Sequence, residues 1–112
     1  MGRYITTNLT YATTTVTTAI SYAANVNDRV LCTAGGITIT LPSTTIDGTA
    51  LTEGDTVQVV DVSGTAGSSN ITIGRNGAKI QGLAEDMLID ISNASPTYVY
   101  TGATYGWVLA GS

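Results

Sequence analysis

A chain of 112 residues with 43% hydrophobic side chains can hold one domain and bury its own core without metals or disulfides. Only 11% of the residues are charged and the net charge is −4, so the clustered cations of a nucleic-acid surface are missing. Histidine is absent and cysteine occurs once, which excludes a histidine-based nucleophilic triad, a His/Cys zinc cluster and an intrachain disulfide.

Thr, Ser, Asn and Gly stand where charge would otherwise be. That composition suits β-sheets and surfaces covered by other subunits, and it is unlike the charge-rich composition of disordered chains. Met1 leads into a Thr-rich polar stretch, not a basic start and apolar core, and no apolar run approaches membrane-spanning length. The expectation is a chain made in a cytoplasm, without nucleic-acid or membrane partners.

Residues 1–26 are rich in Thr, Ala and Tyr around Thr13-Thr14-Thr15-Val16-Thr17-Thr18, with no Gly or Pro turn after Gly2. Thr favours extended backbone, and the apolar residues Tyr4, Ile5, Leu9, Tyr11, Val16, Ile20 and Tyr22 hold no single period. An N-terminal arm that docks on a partner through these side chains is expected. A frayed terminus is the plainer alternative.

Residues 27–112 predict a β-domain. Strands are expected at Arg29–Thr33 and, after the Gly35-Gly36 turn, at Ile37–Leu41, which Pro42 stops. Ser43–Gly54 is a loop with an Asp47-Gly48 turn. Thr56–Val62 carries near-continuous valines that predict burial on both faces. Ser63–Asn70 is a loop of small residues, and Ile71–Gly74 a short strand.

Asn76-Gly77 between β-patterned flanks predicts a tight hairpin with Lys79–Leu83 as its return strand. One helical turn is expected near Leu83–Asp86. Met87–Ile91 alternates, and Thr97–Thr101 with Tyr105–Ala110 forms a closing hairpin. The fold class predicted is all-β: a small antiparallel β-sandwich or barrel-like domain with an extended N-terminal arm.

Few residues offer chemistry. Cys32 sits in an apolar alternation and reads as a small buried hydrophobe. Gly64–Ser69 lacks the Gly-Lys-Ser/Thr ending of a phosphate loop. Glu53 with Asp55, and Glu85 with Asp86, are the paired carboxylates that glycoside hydrolysis would need. Both pairs precede strands, where carboxylates commonly accept backbone N–H bonds.

Asp47, Asp55 and Asp61 could meet calcium but lack the spacing of a binding loop. No catalytic residue, metal site or cofactor is assigned. Three Asn-x-Ser/Thr triplets, at Asn8, Asn70 and Asn93, are expected by chance in this composition. Tyr98, Tyr100, Tyr105 and Trp107 crowd the last hairpin, as a ligand-stacking platform, a subunit contact or cross-strand packing that closes the sheet.

Taken in order, Asp28-Arg29-Val30-Leu31-Cys32, Ile37–Pro42, Gly54–Asp61, Asn70–Gly82, Val99–Gly102 and Tyr105–Leu109 resemble a domain of tailed-bacteriophage virion proteins. It recurs in fibres and other structural proteins of phages infecting marine bacteria and cyanobacteria. The resemblance covers about residues 28 to 109. It implies a β-rich, trimeric building block of a virion, without catalysis.

A chain that starts at Met1 and stops just after this domain is expected to be a free-standing product. A homotrimeric capsid decoration or cement protein, bound to coat or tail subunits through its arm, fits that pattern. Its rivals are a short head or tail fibre, a receptor-binding tip using the C-terminal aromatics, and a carbohydrate-active enzyme using Glu53 and Glu85.

Overall fold

The computed structural model describes residues 13–111. Among them the chain forms nine strands and no helix. These are β1 (Thr14–Thr18), β2 (Tyr22–Ala23), β3 (Asp28–Cys32), β4 (Thr38–Thr40), β5 (Thr56–Asp61), β6 (Ile71–Gly74), β7 (Met87–Ile89), β8 (Thr97–Tyr100) and β9 (Trp107–Gly111). They make two sheets, ordered β1-β3-β5-β8-β9 and β2-β4-β6-β7.

The first six strands alternate between the sheets, and each from β3 on lies parallel to the strand two before it. The chain therefore winds in three successive coils, a short solenoid-like stack. Register places Val16 beside Val30 and Val30 beside Val59 in one sheet, and Ile39 beside Ile73 in the other. From β7 onward the pairing reverses: β6–β7, β5–β8 and β8–β9 are antiparallel.

Two expectations are corrected here. The sheets are mixed, not antiparallel, because the early connections cross to the opposite sheet instead of folding back on their own. Nor is there a closed barrel, since each sheet keeps two ends. Period-two alternation is identical in parallel and antiparallel strands, so the sequence pattern could not separate them.

The inward side chains of both sheets meet in one cluster that includes Val30, Ile39, Val59, Ile73, Tyr98 and Trp107. Each fully buried Val or Ile contributes about 1.5–3 kcal/mol. β5 alternates strictly, with Val57, Val59 and Asp61 buried and Thr56, Gln58 and Val60 half-buried. The expectation of burial on both faces is thus replaced by a one-sided strand.

Thr14–Ala23 of the expected arm lies within these sheets, β1 against β3 and β2 against β4. The boundary at residue 26 falls in the turn between β2 and β3. The β-propensity of the threonines is realised, with the chain's own next coil as partner.

The Asn76-Gly77 turn forms, with φ of 51° and 90° and Ala78 N–H donating to Arg75 C=O at 3.2 Å. The expected return strand does not follow, and β6 pairs with β7 instead. Ile80 is 2% exposed, and its segment straps the outer side of β9. Trp107 N–H donates to Lys79 C=O at 2.8 Å, and Gln81 N–H to Trp107 C=O at 2.8 Å. The Gln81 side chain accepts from Leu109 N–H at 3.1 Å. Leu83–Asp86 holds no helical turn, only a bend after the Ile80–Leu83 turn.

This strap requires glycine at 106. Its φ is +71°, and a Cβ there would lie 1.9 Å from the Lys79 carbonyl oxygen. Gly106→Ala is expected to lose at least about 3 kcal/mol in urea unfolding, because backbone on both sides must move. Gly77→Ala, at φ +90° in open space, should lose only about 1 kcal/mol. Equal losses would contradict the strap's role.

Candidate functional site

Four sheet ends are exposed to pairing, and three are guarded. β9 is covered by the 79–82 strap. β7 is a three-residue strand between Asp86 and Asp90, and β2 has only two residues. Short strands, flanking charge and covering loops are how sheets avoid uncontrolled pairing. Among the described residues β1 has none of these. It is five residues long, and residues 13–27 carry no charge and no proline.

The ladder fixes which groups of β1 remain open. Thr14 N–H donates to Asn27 C=O at 3.0 Å, and Thr18 C=O accepts from Thr33 N–H at 2.9 Å. Thr14, Val16 and Thr18 therefore face β3. By alternation, the N–H and C=O groups of Thr15 and Thr17 point away from the sheet. Val16 is only half-buried, while Val30 and Val59 beside it are fully buried. The apolar interior is open at this end.

A groove of about 480 Å³ lies where β1, β3 and β5 begin. It is bounded by the Asn25–Asp28 turn and the 45–55 loop, and Thr14 is part of its wall. Asp28 Oδ2 accepts from Tyr22 Oη and from Asn25 N–H, both at 2.8 Å. Burial, then the Asp28 carboxylate, pushes the Tyr22 hydroxyl pKa up.

Asp47 takes hydrogen bonds from the Thr45 and Thr49 hydroxyls, and these hold its carboxyl below the usual range. Asp55 accepts from Thr52 N–H at 2.8 Å. Among the described residues the groove wall thus holds three carboxylates and no basic side chain. Its chemistry is that of a cation acceptor.

Of the expected arm contacts, Val16 faces inward, Ile20 is 73% exposed and Tyr22 lines the groove. Tyr4, Ile5, Leu9 and Tyr11 lie outside the described residues. Tyr98 and Trp107 are fully buried and Tyr105 is exposed. Tyr100 packs edge-on to Trp107, ring centres 5.4 Å apart at 61°. Burial removes Tyr98 and Trp107 from any shared outward platform, and Tyr100 with Trp107 forms a cross-strand pair.

One member of each carboxylate pair, Asp55 and Asp86, serves a loop. Asp86 accepts from Arg75 N–H at 2.9 Å, while Glu53 and Glu85 are exposed. Asp55 and Asp61 stand at opposite ends of β5, about 20 Å apart at strand rise, too far to share an ion. Among the described residues no group of three or more His, Cys, Asp or Glu is placed to hold a metal ion. Asn70 and Asn93 turn their amides to the Ala66 and Asp61 carbonyls.

Comparison with protein-family models and with curated proteins finds no match to this chain.

The sequence pattern suggested Asp61 only as a calcium candidate and not as what it is, a buried acceptor 1% exposed. It accepts from Ser63 Oγ at 2.8 Å and from the N–H groups of Gly64, Ala66 and Asn93 at 3.2, 3.0 and 3.0 Å. Asp61-x-Ser63-Gly64 is the local signal, a carboxylate two and three residues ahead of turn donors. Burial is the strongest single influence and opposes ionisation, but the donors together hold the carboxyl below its usual range. Burial, with the Asp61 charge, pushes the Cys32 thiol up to about 11.

Asp61→Ala is expected to reduce stability by about 2–4 kcal/mol at pH 7, since four donors lose their acceptor. A carboxyl lowered on folding stabilises fully above its unfolded value of 3.8 and loses that contribution as pH falls through the folded value. Wild-type unfolding free energy should therefore drop below about pH 4, and the drop should shrink in Asp61→Ala. Identical acid profiles would contradict this.

Proposed function

We propose that the protein is a structural component of a tailed-bacteriophage virion, a homotrimeric capsid decoration or cement protein that joins coat subunits by strand pairing. The observation that carries this reading is a β1 edge left unguarded among the described residues, while the other sheet ends are protected. Proteins that expose such an edge risk aggregation, so a long, uncharged one is best explained by a partner that covers it. The N-terminal region, residues 1–26, supplies the contact, with β1 as its paired strand. Asp28, Asp47, Asp55, Asp61 and Asp86 are engaged in fastening turns and loops, which supports cohesion. Each added main-chain bond is worth about 0.5–1.5 kcal/mol net, and repetition over a shell multiplies it.

A short head or tail fibre is the second reading. The extents of 53 × 28 × 23 Å, with strands stacked in coils, favour it.

Thr17→Pro tests the assembly reading. It removes an N–H that points away from the domain, a position where edge strands tolerate proline. The variant should keep the wild-type circular dichroism spectrum yet lose at least about tenfold in occupancy on particles. Wild-type occupancy by the variant would refute strand pairing. Quantitative mass spectrometry of virions should count hundreds of copies; a handful would select the fibre.

A further inference from the structure

We propose that the strand which pairs with β1 comes from another protein and carries a lysine or arginine at its first paired position, the cation entering the groove between Asp47 and Asp55. This deepens the assembly reading, on which it rests, by naming the partner's chemistry. Two features converge at one place. The β1 edge begins at Thr14, and Thr14 is also part of the groove wall. A strand added in the direction of β1, β3 and β5 therefore brings its N-terminal residue to the groove mouth.

Charge selects the occupant. Among the described residues the groove contains Asp28, Asp47 and Asp55 and no base. The described cations are placed elsewhere: Arg29 Nε donates to Gln58 Oε1 at 2.8 Å, Arg75 donates to Ala78 C=O at 2.9 Å, and Lys79 lines a separate cavity near Tyr100. A second copy of this chain is a poor occupant. Its net charge is −4, and its β1, Thr-Thr-Val-Thr-Thr, offers no lysine or arginine to enter the groove. An incoming cation gains from the exposed Asp47 and the half-buried Asp55 carboxylates, with buried Asp28 behind them adding to the field.

The test uses the purified full chain and two acetylated peptides, Lys-Thr-Val-Thr-Val-Thr and its Glu-Thr-Val-Thr-Val-Thr counterpart, followed by amide NMR. The lysine peptide should shift the Thr15 and Thr17 amides together with Asp47 and Asp55, and should bind at least about tenfold tighter than the glutamate peptide. Asp47→Asn combined with Asp55→Asn should abolish that preference; Asp47→Lys, at an exposed position, serves if the double variant does not fold.

Equal affinity for the two peptides, or shifts away from β1, would overturn the proposal. So would Thr15 and Thr17 amides already bonded in the free monomer, which would assign the edge to this chain's own residues. A concentration-dependent dimer paired through β1 would assign the edge to a second copy and overturn the proposal equally. The assay needs no virion, so its failure leaves particle occupancy standing, and loss of particle occupancy leaves the peptide result standing.

Discussion

Main-chain pairing between successive coils is the constraint from which the rest of this structure follows. A two-residue strand such as β2, or a three-residue strand such as β4, cannot persist alone. Each is held by the next coil, and register is set where inward side chains meet, Val30 beside Val59 and Ile39 beside Ile73. A slip of one residue would turn every buried valine and isoleucine outward. Backbone bonding and apolar burial therefore specify the same alignment.

The two ends of the stack are built differently. At the C-terminal end the chain reverses direction, and Ile80 and Trp107 are sealed beneath a strap that only glycine at 106 permits. At the N-terminal end β1 presents the same kind of ladder with nothing on its far side among the described residues. Stacked-repeat proteins need a polar cap where stacking stops. Here one end has a cap and the other, among the described residues, has an uncovered edge, which is where the proposed function places the partner.

Aspartates supply the order that charge pairs provide in other proteins. Asp28, Asp55, Asp61 and Asp86 each accept a backbone N–H from a turn or loop. Placing negative charge against N–H donors, not against Lys or Arg, suits a chain with so few cations. It also leaves the groove at β1 with negative potential that no described side chain compensates.

Much of the strand content was legible, because alternation and turn residues report local backbone directly. Arg29–Thr33, Thr56–Val62, Ile71–Gly74 and the closing hairpin all fall within a residue or two of observed strands. Strand partners were not legible: alternation does not encode direction, and Asn76-Gly77 formed its turn while Ile80 left for the core. The site was half visible. Val16 and Tyr22 stood out as apolar residues in a turn-free segment, but the groove joins Asp28 to Asp47 and Asp55 across a long loop, and no spacing rule reports that.

Native-state hydrogen exchange along the stack tests the central claim most directly. Capping at one end predicts a gradient: amides of β5 and β8 exchange only with global unfolding, β3 is intermediate, and Thr15 and Thr17 in β1 exchange fastest. Uniform protection across the five strands, or slower exchange in β1 than in β5, would contradict an open end held only from one side.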